Sequence, residues 1–342
     1  MCIFVQEGTF VGIAVTWEMA LGDHLDHNKP YGVNSDRLTF IGGKNHLHYH
    51  AYNQMGLAVC LRMVDPESYR RKEWISAGDE YVILERLKET GLAPKPYYLD
   101  TNFLVPILIE EYIPNPRSFN TLMPLQDAHI ALAARAIGKL NAQPITPKNF
   151  QFRQRSFDPS YLKSLLVWIG RLVYTMVILR RFDVVNWAQR MMRLINNAAP
   201  ILLKGQQVIR KIQTPYFHFD GAHCRNTFLR ENNTVVFLDW ESVSWRRDPS
   251  FTAARFLVSV GSVTDHQLDV FIHAFQEVNA SPFFEQLLPI RLLERTIADA
   301  VWVLYDAAQR RDRRPIVEST NILDRFLSVR ELLEQQQKKF RW

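Results

Sequence analysis

The chain has 342 residues and a formal net charge of +6, with 47% hydrophobic and 22% charged residues. This balance is typical of a folded globular protein and excludes an intrinsically disordered chain, and the length suffices for two lobes with their own cores. The three cysteines are widely spaced and odd in number, which excludes a disulfide framework and fits a reducing, cytoplasmic location.

Two apolar stretches bear on membrane insertion. Residues 10–15 have no basic region before them, so we expect no signal peptide. Residues 161–179 form the longest apolar stretch but contain Lys163 and Arg171, whose charges are costly inside a bilayer. We therefore expect a buried amphipathic helix at 161–179 and no transmembrane segment.

The first third of the chain has the pattern of short strands joined by turns. Three runs predict strands: 37–41, 46–52 and 57–64. Gly42 and Gly43 lie between the first two runs, where glycine allows the backbone to approach a bound anion closely. Arg62 lies in the third run, and its fork of N–H donors suits phosphate oxygens.

A helix and a fourth strand are predicted next. Residues 79–87 have apolar positions at helical spacing, with Glu80 in the first turn. An apolar run at 103–109 predicts a strand, which leads into Glu110, Glu111 and Tyr112. Glu110 and Glu111 are also consistent with solvated charges at the rim of the protein.

Three histidines alternate along one face of the second predicted strand: His46, His48 and His50. One interpretation is a metal triad, but metal sites usually recruit ligands from several segments, and no carboxylate or cysteine accompanies these residues. The alternative is a polar strand face that favours anions when the histidines are partly protonated. We favour the polar face.

The second half of the chain is mostly helical in pattern, with helices predicted at 127–141, 266–278 and 291–309. Residues 216–241 interrupt this pattern with a group of polar residues. Asp220 and Asn226 follow one short apolar run, and Asp239 follows a second run at 234–238. Phosphoryl transfer requires a carboxylate near the attacking hydroxyl and hard oxygen ligands for magnesium at the ATP phosphates, and this segment supplies both.

The order His218-x-Asp220, Asn226 and Asp239-Trp240-Glu241 resembles the aminoglycoside phosphotransferase and choline kinase-like families, the small-molecule branch of the protein-kinase-like fold. The resemblance covers roughly residues 37–260 and is strongest at 216–249. It implies an α+β, two-lobed protein-kinase-like fold. A nucleotide-binding lobe with a small antiparallel sheet would span 1–112, and a mostly helical lobe would span 113–342.

The resemblance also implies a role for each candidate residue. Asp220 would act as the catalytic base or orient the acceptor hydroxyl, and Asn226 and Asp239 would bind Mg²⁺. The residues that would hold ATP are Gly42, Gly43 and Arg62 at the phosphates, Glu80 as the partner of Arg62, and Glu111 and Tyr112 at the adenine. Asp248-Pro249 is similar to the family's Gly-Asp-Pro, whose Asp braces the catalytic loop.

The spacing departs from the family pattern at one place. His223 and Asn226 each lie one position further from Asp220 than is usual, which indicates a one-residue insertion at Gly221-Ala222. Glycine tolerates the positive φ that a bulge requires, so the insertion can be absorbed locally. The alternative is a pseudokinase that binds nucleotide without turnover.

Residues 151–211 are strongly basic, with eleven Lys or Arg against two Asp. Such a segment suits an anionic acceptor, an acidic partner or a membrane surface, although a solvated basic helix face is also open. It lacks the aromatic interleaving of a nucleic-acid stacking platform, so we expect no nucleic acid. The expected activity is ATP- and Mg²⁺-dependent phosphoryl transfer to the hydroxyl of a small molecule.

Overall fold

The computed structural model describes residues 10–42, 46–64, 77–143, 161–179, 182–240, 243–261 and 263–309, together with Glu331 and Glu334. The chain divides into two compact units. The first comprises Met1–Arg117 and Phe228–Ser242, and the second comprises Ser118–Thr227 and Val243–Trp342. Phe228–Ser242 therefore belongs with the first unit, whereas the sequence assigned it to the lobe at 113–342.

The first unit contains a five-stranded sheet in which every neighbouring pair is antiparallel. Its strand order is β1-β2-β3-β5-β4, with β1 at Thr39–Gly42, β2 at His46–Tyr52, β3 at Ala58–Val64, β4 at Pro96–Asp100 and β5 at Ile107–Glu111. The predicted run at 103–109 becomes a strand only from Ile107, because β4 and β5 form a hairpin in which Asp100 pairs with Ile107 and residues 101–106 form the loop.

Side-chain alternation gives this sheet one apolar face and one polar face. The apolar face carries Tyr49, Val59, Leu61, Met63, Ile107 and Ile109, and helix α1 (Phe10–Asn28) packs Leu21 and Leu25 into the same cluster. The polar face carries the alternate residues, so His48 lies opposite Arg62 and Cys60 lies opposite Glu110 in the strand register. The second helix, α2 (Ala77–Leu87), contributes Glu80.

A hairpin of the first unit positions Asp239. It consists of β8 (Thr227–Leu229) and β9 (Val235–Phe237), and β8 also pairs with the short strand β6 (Arg117–Ser118). The Phe237 N–H donates to the carbonyl of Leu92 at 2.8 Å. This bond and those of Trp240 described below explain why the hairpin belongs to the first unit.

The second unit is mostly helical. Its helices are α3 (Asp127–Asn141), α4 (Tyr161–Leu179), α5 (Phe182–Lys211), α6 (Phe251–Val260), α7 (Asp265–Gln276) and α8 (Phe284–Gln309), and a two-stranded antiparallel sheet joins β7 (Tyr216–Phe219) to β10 (Val243–Arg246). The predicted helices at 127–141 and 161–179 are confirmed to the residue. Helix α8 begins at Phe284, seven residues before the predicted start at 291, because its buried apolar positions begin with Phe284 and Leu287.

Helices α4, α5 and α8 share an apolar core that includes Trp168, Leu172, Met191, Ile195 and Leu293. Helix α4 is only half-buried, however, and the expectation of a buried helix at 161–179 is wrong for its outer face. Within the residues described, no helix combines the length and apolar character required to cross a membrane.

Candidate functional site

Arg62 is the centre of a buried polar cluster in the first unit. Its Nη1 donates to Glu80 Oε1, and its Nη2 donates to Asp239 Oδ1 at 2.9 Å. The same Nη2 lies 3.3 Å from His46 Nδ1. Arg62 is 4% exposed, so these contacts form away from bulk water. The structure thus brings together the predicted pair Arg62–Glu80 and adds Asp239 to it.

Glu80 also holds the backbone next to Asp239. Its Oε1 accepts the Trp240 N–H at 3.2 Å, and the Trp240 indole N–H donates to the carbonyl of Phe237 at 2.8 Å. Asp239 itself has a φ of 71°, in the left-handed region that a non-glycine residue rarely adopts. The backbone bonds on either side hold this conformation, and the Asp239 carboxylate is half-exposed.

A cavity of about 220 Å³ opens beside this cluster within the first unit. It is lined by Ile41, His48, Cys60, Arg62, Pro94, Glu110, Glu111, Tyr112, Ile113, Pro116, Leu238, Asp239 and Trp240. The lining therefore includes four residues that the sequence predicts to bind the nucleotide or the metal: Arg62, Glu111, Tyr112 and Asp239. Gly42 ends β1 with a φ of 122°, next to the lining residue Ile41, and Gly43 lies outside the described residues.

Glu110 is buried, so its interpretation as a solvated rim charge is wrong. Burial raises the pKa of its carboxyl to about 8, and the charges of Glu80 and Glu111 act in the same direction. Arg62 opposes this rise only in part. Glu110 is therefore mostly protonated at neutral pH and presents a neutral carboxyl to the cavity.

Glu111 is half-buried and ion-paired. Its two carboxylate oxygens accept from Arg230 Nη1 and Nη2 at 2.6 and 3.0 Å, and Oε2 also accepts the Lys95 N–H. Burial alone would raise its pKa, but the Arg230 bonds hold the pKa below the ordinary value. The Glu111 N–H donates to the carbonyl of Lys95, so this amide is already used by the fold.

Glu110→Gln is expected to make stability less dependent on pH. The carboxyl has a higher pKa when folded than when unfolded, so its contribution is complete below about pH 4.5 and is lost as the pH rises through about 8. Urea unfolding of both proteins near pH 5 and about pH 9 measures this. The variant should gain stability relative to wild type at the higher pH. If wild type and variant show the same change in the free energy of unfolding between the two pH values, Glu110 is not buried in its protonated form.

Asp220 follows β7 in the second unit, and its surroundings come from β10 and α6. Asp220 Oδ1 accepts from Ser244 Oγ at 2.8 Å, and Arg246 Nη2 lies 3.5 Å from Oδ2. Arg255 Nε donates to the Asp220 carbonyl at 2.6 Å. Sequence reasoning missed these three partners. The alternation of apolar and polar residues in Val243–Arg246, shortly after Asp239-Trp240-Glu241, was the available signal for a strand beside β7.

The insertion after Asp220 is buried and forms tight turns. The Ala222 N–H donates to the Phe219 carbonyl at 3.3 Å, and the His223 N–H donates to the Gly221 carbonyl at 2.7 Å. Gly221 is not among the glycines with positive φ, so the expectation that this glycine would supply a positive-φ bulge is wrong. Two consecutive turns absorb the extra residue.

Both histidines of this loop are neutral at pH 7. Burial and then the charge of Arg255 lower the pKa of His223 to about 4, and its Nε2 accepts from Arg255 Nη2 at 3.0 Å. Burial, followed by the charge of Arg246, lowers the pKa of His218 to about 3, and His218 Nδ1 bonds to Thr252 Oγ1. These histidines therefore position the loop and carry no charge near neutral pH.

Two further predicted residues lie in the second unit. The Asn226 N–H donates to the His223 carbonyl at 2.9 Å. Asp248, which the resemblance assigned to bracing the loop, accepts from Arg291 Nε at 2.6 Å and from the Ser250 N–H at 2.8 Å at the start of α6. These two bonds connect Asp248 to α8 and to the start of α6.

No protein-family model and no curated protein sequence matches the chain. Solved structures do match. A choline/ethanolamine kinase family protein from Mesorhizobium loti is 16% identical with a TM-score of 0.60, and the match covers 93% of this chain and 95% of that one.

A phosphotransferase and a second kinase also have similar structures. A spectinomycin phosphotransferase solved with ADP and spectinomycin is 14% identical, with a TM-score of 0.57 over 92% of this chain and 96% of that one. An amicoumacin kinase solved with AMP-PNP and Ca²⁺ is 11% identical, with a TM-score of 0.56 over 96% of each chain. The chain therefore has the two-lobed, α+β fold of the choline kinases and aminoglycoside phosphotransferases, as the motifs at 216–241 predict.

Proposed function

We propose that the protein transfers the γ-phosphoryl group of ATP to a hydroxyl group of a small molecule, with the help of Mg²⁺. The observation that carries this proposal is the convergence of Arg62, Glu80 and Asp239 beside one cavity. Arg62 and Asp239 are 177 residues apart in the chain, and the resemblance assigns one to the phosphates and the other to the metal that the phosphates share.

The cavity of the first unit suits the nucleotide. Arg62 provides a guanidinium with a rigid fork of donors for the phosphate oxygens, and Glu80 fixes its position. Tyr112, Ile113 and Leu238 supply apolar surface for an adenine ring. The Glu111 N–H is used by Lys95, so a backbone contact to the adenine would come from Tyr112 or Ile113.

The residue types predicted for the metal also fit a divalent cation. Asp239 in the first unit has carboxylate oxygens and Asn226 in the second unit has an amide oxygen, and both are hard ligands of the kind that Mg²⁺ prefers. Among the residues described, no three His, Cys, Asp or Glu side chains form a metal cluster. A magnesium ion completed by phosphates and water needs no such cluster. When bound, the cation would neutralise charge on the phosphate oxygens.

Asp220 would orient the acceptor hydroxyl and accept its proton. The bond from Ser244 Oγ and the nearby Arg246 guanidinium hold the carboxylate in one orientation, which is a requirement for in-line attack. Arg255 fixes the Asp220 backbone through its carbonyl. The ligands in the spectinomycin phosphotransferase and amicoumacin kinase structures support a nucleotide and a small acceptor for this fold.

A pseudokinase is the second candidate, and one contact favours it. Arg62 Nη2 donates to Asp239 Oδ1, so the side chain predicted to bind phosphate occupies an oxygen of the side chain predicted to bind Mg²⁺. In an enzyme this pair must open or share the carboxylate when the cation binds. In a pseudokinase the pair would persist, and nucleotide binding would not depend on Mg²⁺.

The Mg²⁺ dependence of nucleotide binding by the wild type distinguishes these candidates, and Asp239→Asn then tests the predicted magnesium ligand. The substitution keeps the shape of the side chain but removes its charge, so nucleotide binding should lose its dependence on Mg²⁺ while the fold is retained. Thermal shift with ATP, with and without Mg²⁺, measures binding, and ATP turnover across a panel of hydroxyl compounds measures activity. The matched control is Asp36→Asn, an exposed carboxylate of the first unit that does not line the cavity. A variant with wild-type Mg²⁺ dependence would remove Asp239 from the site.

A further inference from the structure

Helix α4 has an exposed face that is almost entirely apolar. Its inner side packs Leu165, Trp168 and Leu172 into the core that it shares with α5 and α8. The outer side, which we call the α4 face, consists of Leu166, Val167, Val173, Tyr174, Val177 and Ile178. Each of these side chains is at least 41% exposed, and Leu166 reaches 63%.

The neighbouring helix α5 shows what an ordinary solvent-exposed face looks like in the same unit. Its exposed positions are mainly polar and include Gln189, Arg190, Arg193, Asn196, Asn197 and Gln207. A surface helix normally keeps apolar residues on its core side only. A contiguous exposed apolar patch marks a surface that contacts something other than water.

The charges and aromatic rings around the α4 face indicate what it contacts. On α4 itself Lys163 is exposed and Arg171 is half-buried, and the neighbouring helix α5 adds five Lys or Arg against one Asp, so the two helices together carry a net charge of +6. On α8, Trp302 is 47% exposed, and the Arg171 guanidinium lies 5.2 Å from the Trp302 ring. Exposed Trp and Tyr beside basic residues are typical of a helix at a lipid–water interface.

We propose that the α4 face docks onto the surface of an anionic lipid bilayer, with α4 lying in the plane of the interface. The apolar side chains would enter the boundary between headgroups and acyl chains, and the basic residues would attract anionic headgroups. The proposed contact is peripheral, because α4 lies along the bilayer surface and packs its inner side against α5 and α8. This property is separate from phosphoryl transfer and does not rest on it.

A second copy of the chain is a less suitable occupant. A two-fold contact between copies would place the same surface against itself. The +6 charge of α4 and α5 would then face an identical charge, which opposes association. An anionic bilayer instead complements both the apolar and the basic character of the surface.

Vesicle co-sedimentation tests the proposal with the full chain. Wild type should bind vesicles of phosphatidylcholine mixed with phosphatidylglycerol, and bind phosphatidylcholine alone much more weakly. Leu166→Glu combined with Val173→Glu places two charges on the α4 face and should weaken binding by roughly tenfold or more. The matched control, Asn196→Glu with Asn197→Glu, makes the same charge change on the exposed side of α5 and should retain most of the binding.

Each remaining outcome would overturn the proposal. Failure of wild type to bind either vesicle excludes a lipid surface, and equal losses in the two double variants show electrostatic attraction without apolar docking. Light scattering of the free protein tests whether a second copy covers the α4 face. A wild-type dimer that becomes a monomer in the Leu166→Glu and Val173→Glu variant would indicate a second copy. Circular dichroism and thermal unfolding confirm folding of each variant. If the variant with Leu166→Glu and Val173→Glu does not fold, Leu166→Ser with Val173→Ser is tested in its place.

Discussion

Asp220→Asn is expected to lower phosphoryl transfer by about 10²–10⁴-fold and to leave nucleotide binding almost unchanged. The amide cannot accept the proton of the acceptor hydroxyl, yet it retains an oxygen that can accept from Ser244 Oγ. Steady-state turnover with an identified acceptor and calorimetric titration with ATP and Mg²⁺ measure the two effects separately.

A second substitution, Ser244→Ala, tests the hydroxyl that donates to Asp220. It removes the hydroxyl that holds Asp220 but leaves the carboxylate, so turnover should fall by less than in Asp220→Asn. A pseudokinase would give equal and negligible turnover in wild type and both variants. Unchanged turnover in Asp220→Asn in an active protein would show that this loop does not take part in the chemistry.

Arg62→Ala is expected to lower the free energy of unfolding by about 3–5 kcal/mol, because it leaves the buried Glu80 carboxylate without its cation. Nucleotide affinity should fall as well, since the charge-assisted contacts to phosphate are lost. Urea unfolding and thermal shift with ATP measure these effects. Both effects are expected because Arg62 is 4% exposed, pairs with Glu80 and also lines the cavity proposed for the nucleotide.

A double-mutant cycle separates the pair from the individual residues. Arg62→Ala with Glu80→Ala should cost less than the two single changes added together, because no unpaired buried charge remains. Arg135→Ala with Glu277→Ala is a matched control, since this ion pair is exposed and should contribute about 0–1 kcal/mol. Additive costs for Arg62 and Glu80 would contradict a coupled buried pair.

Local patterns were sufficient for much of the secondary structure. Helical periodicity identified Asp127–Asn141 and Tyr161–Leu179 with the observed bounds, and alternation identified β2. The start of β5 was misplaced because the pairing of Asp100 with Ile107 leaves residues 103–106 in the loop of a hairpin, and periodicity does not record which strands pair. Strand and helix periods depend on which side chains face inward, so they are visible in one segment at a time.

The candidate site was predictable only in part. Asp220, Asn226 and Asp239 stood out because their residue types and order match a known chemistry, and Glu80 was correctly paired with Arg62. The partners Ser244, Arg246 and Arg255 were not predicted. They carry common residue types and reach Asp220 through strand pairing and helix packing.

The sequence by itself therefore determined the class of fold and which residues are the candidates for the proposed chemistry. Only the tertiary structure decided that Glu110 is buried and neutral while Glu111 binds Arg230, although the two are adjacent and of the same type. The tertiary structure also placed Arg62 within hydrogen-bond distance of Asp239 and left the outer side of α4 exposed. The reason is that burial, pKa and ion pairing depend on neighbours supplied by distant segments, whereas residue type and periodicity are properties of one segment.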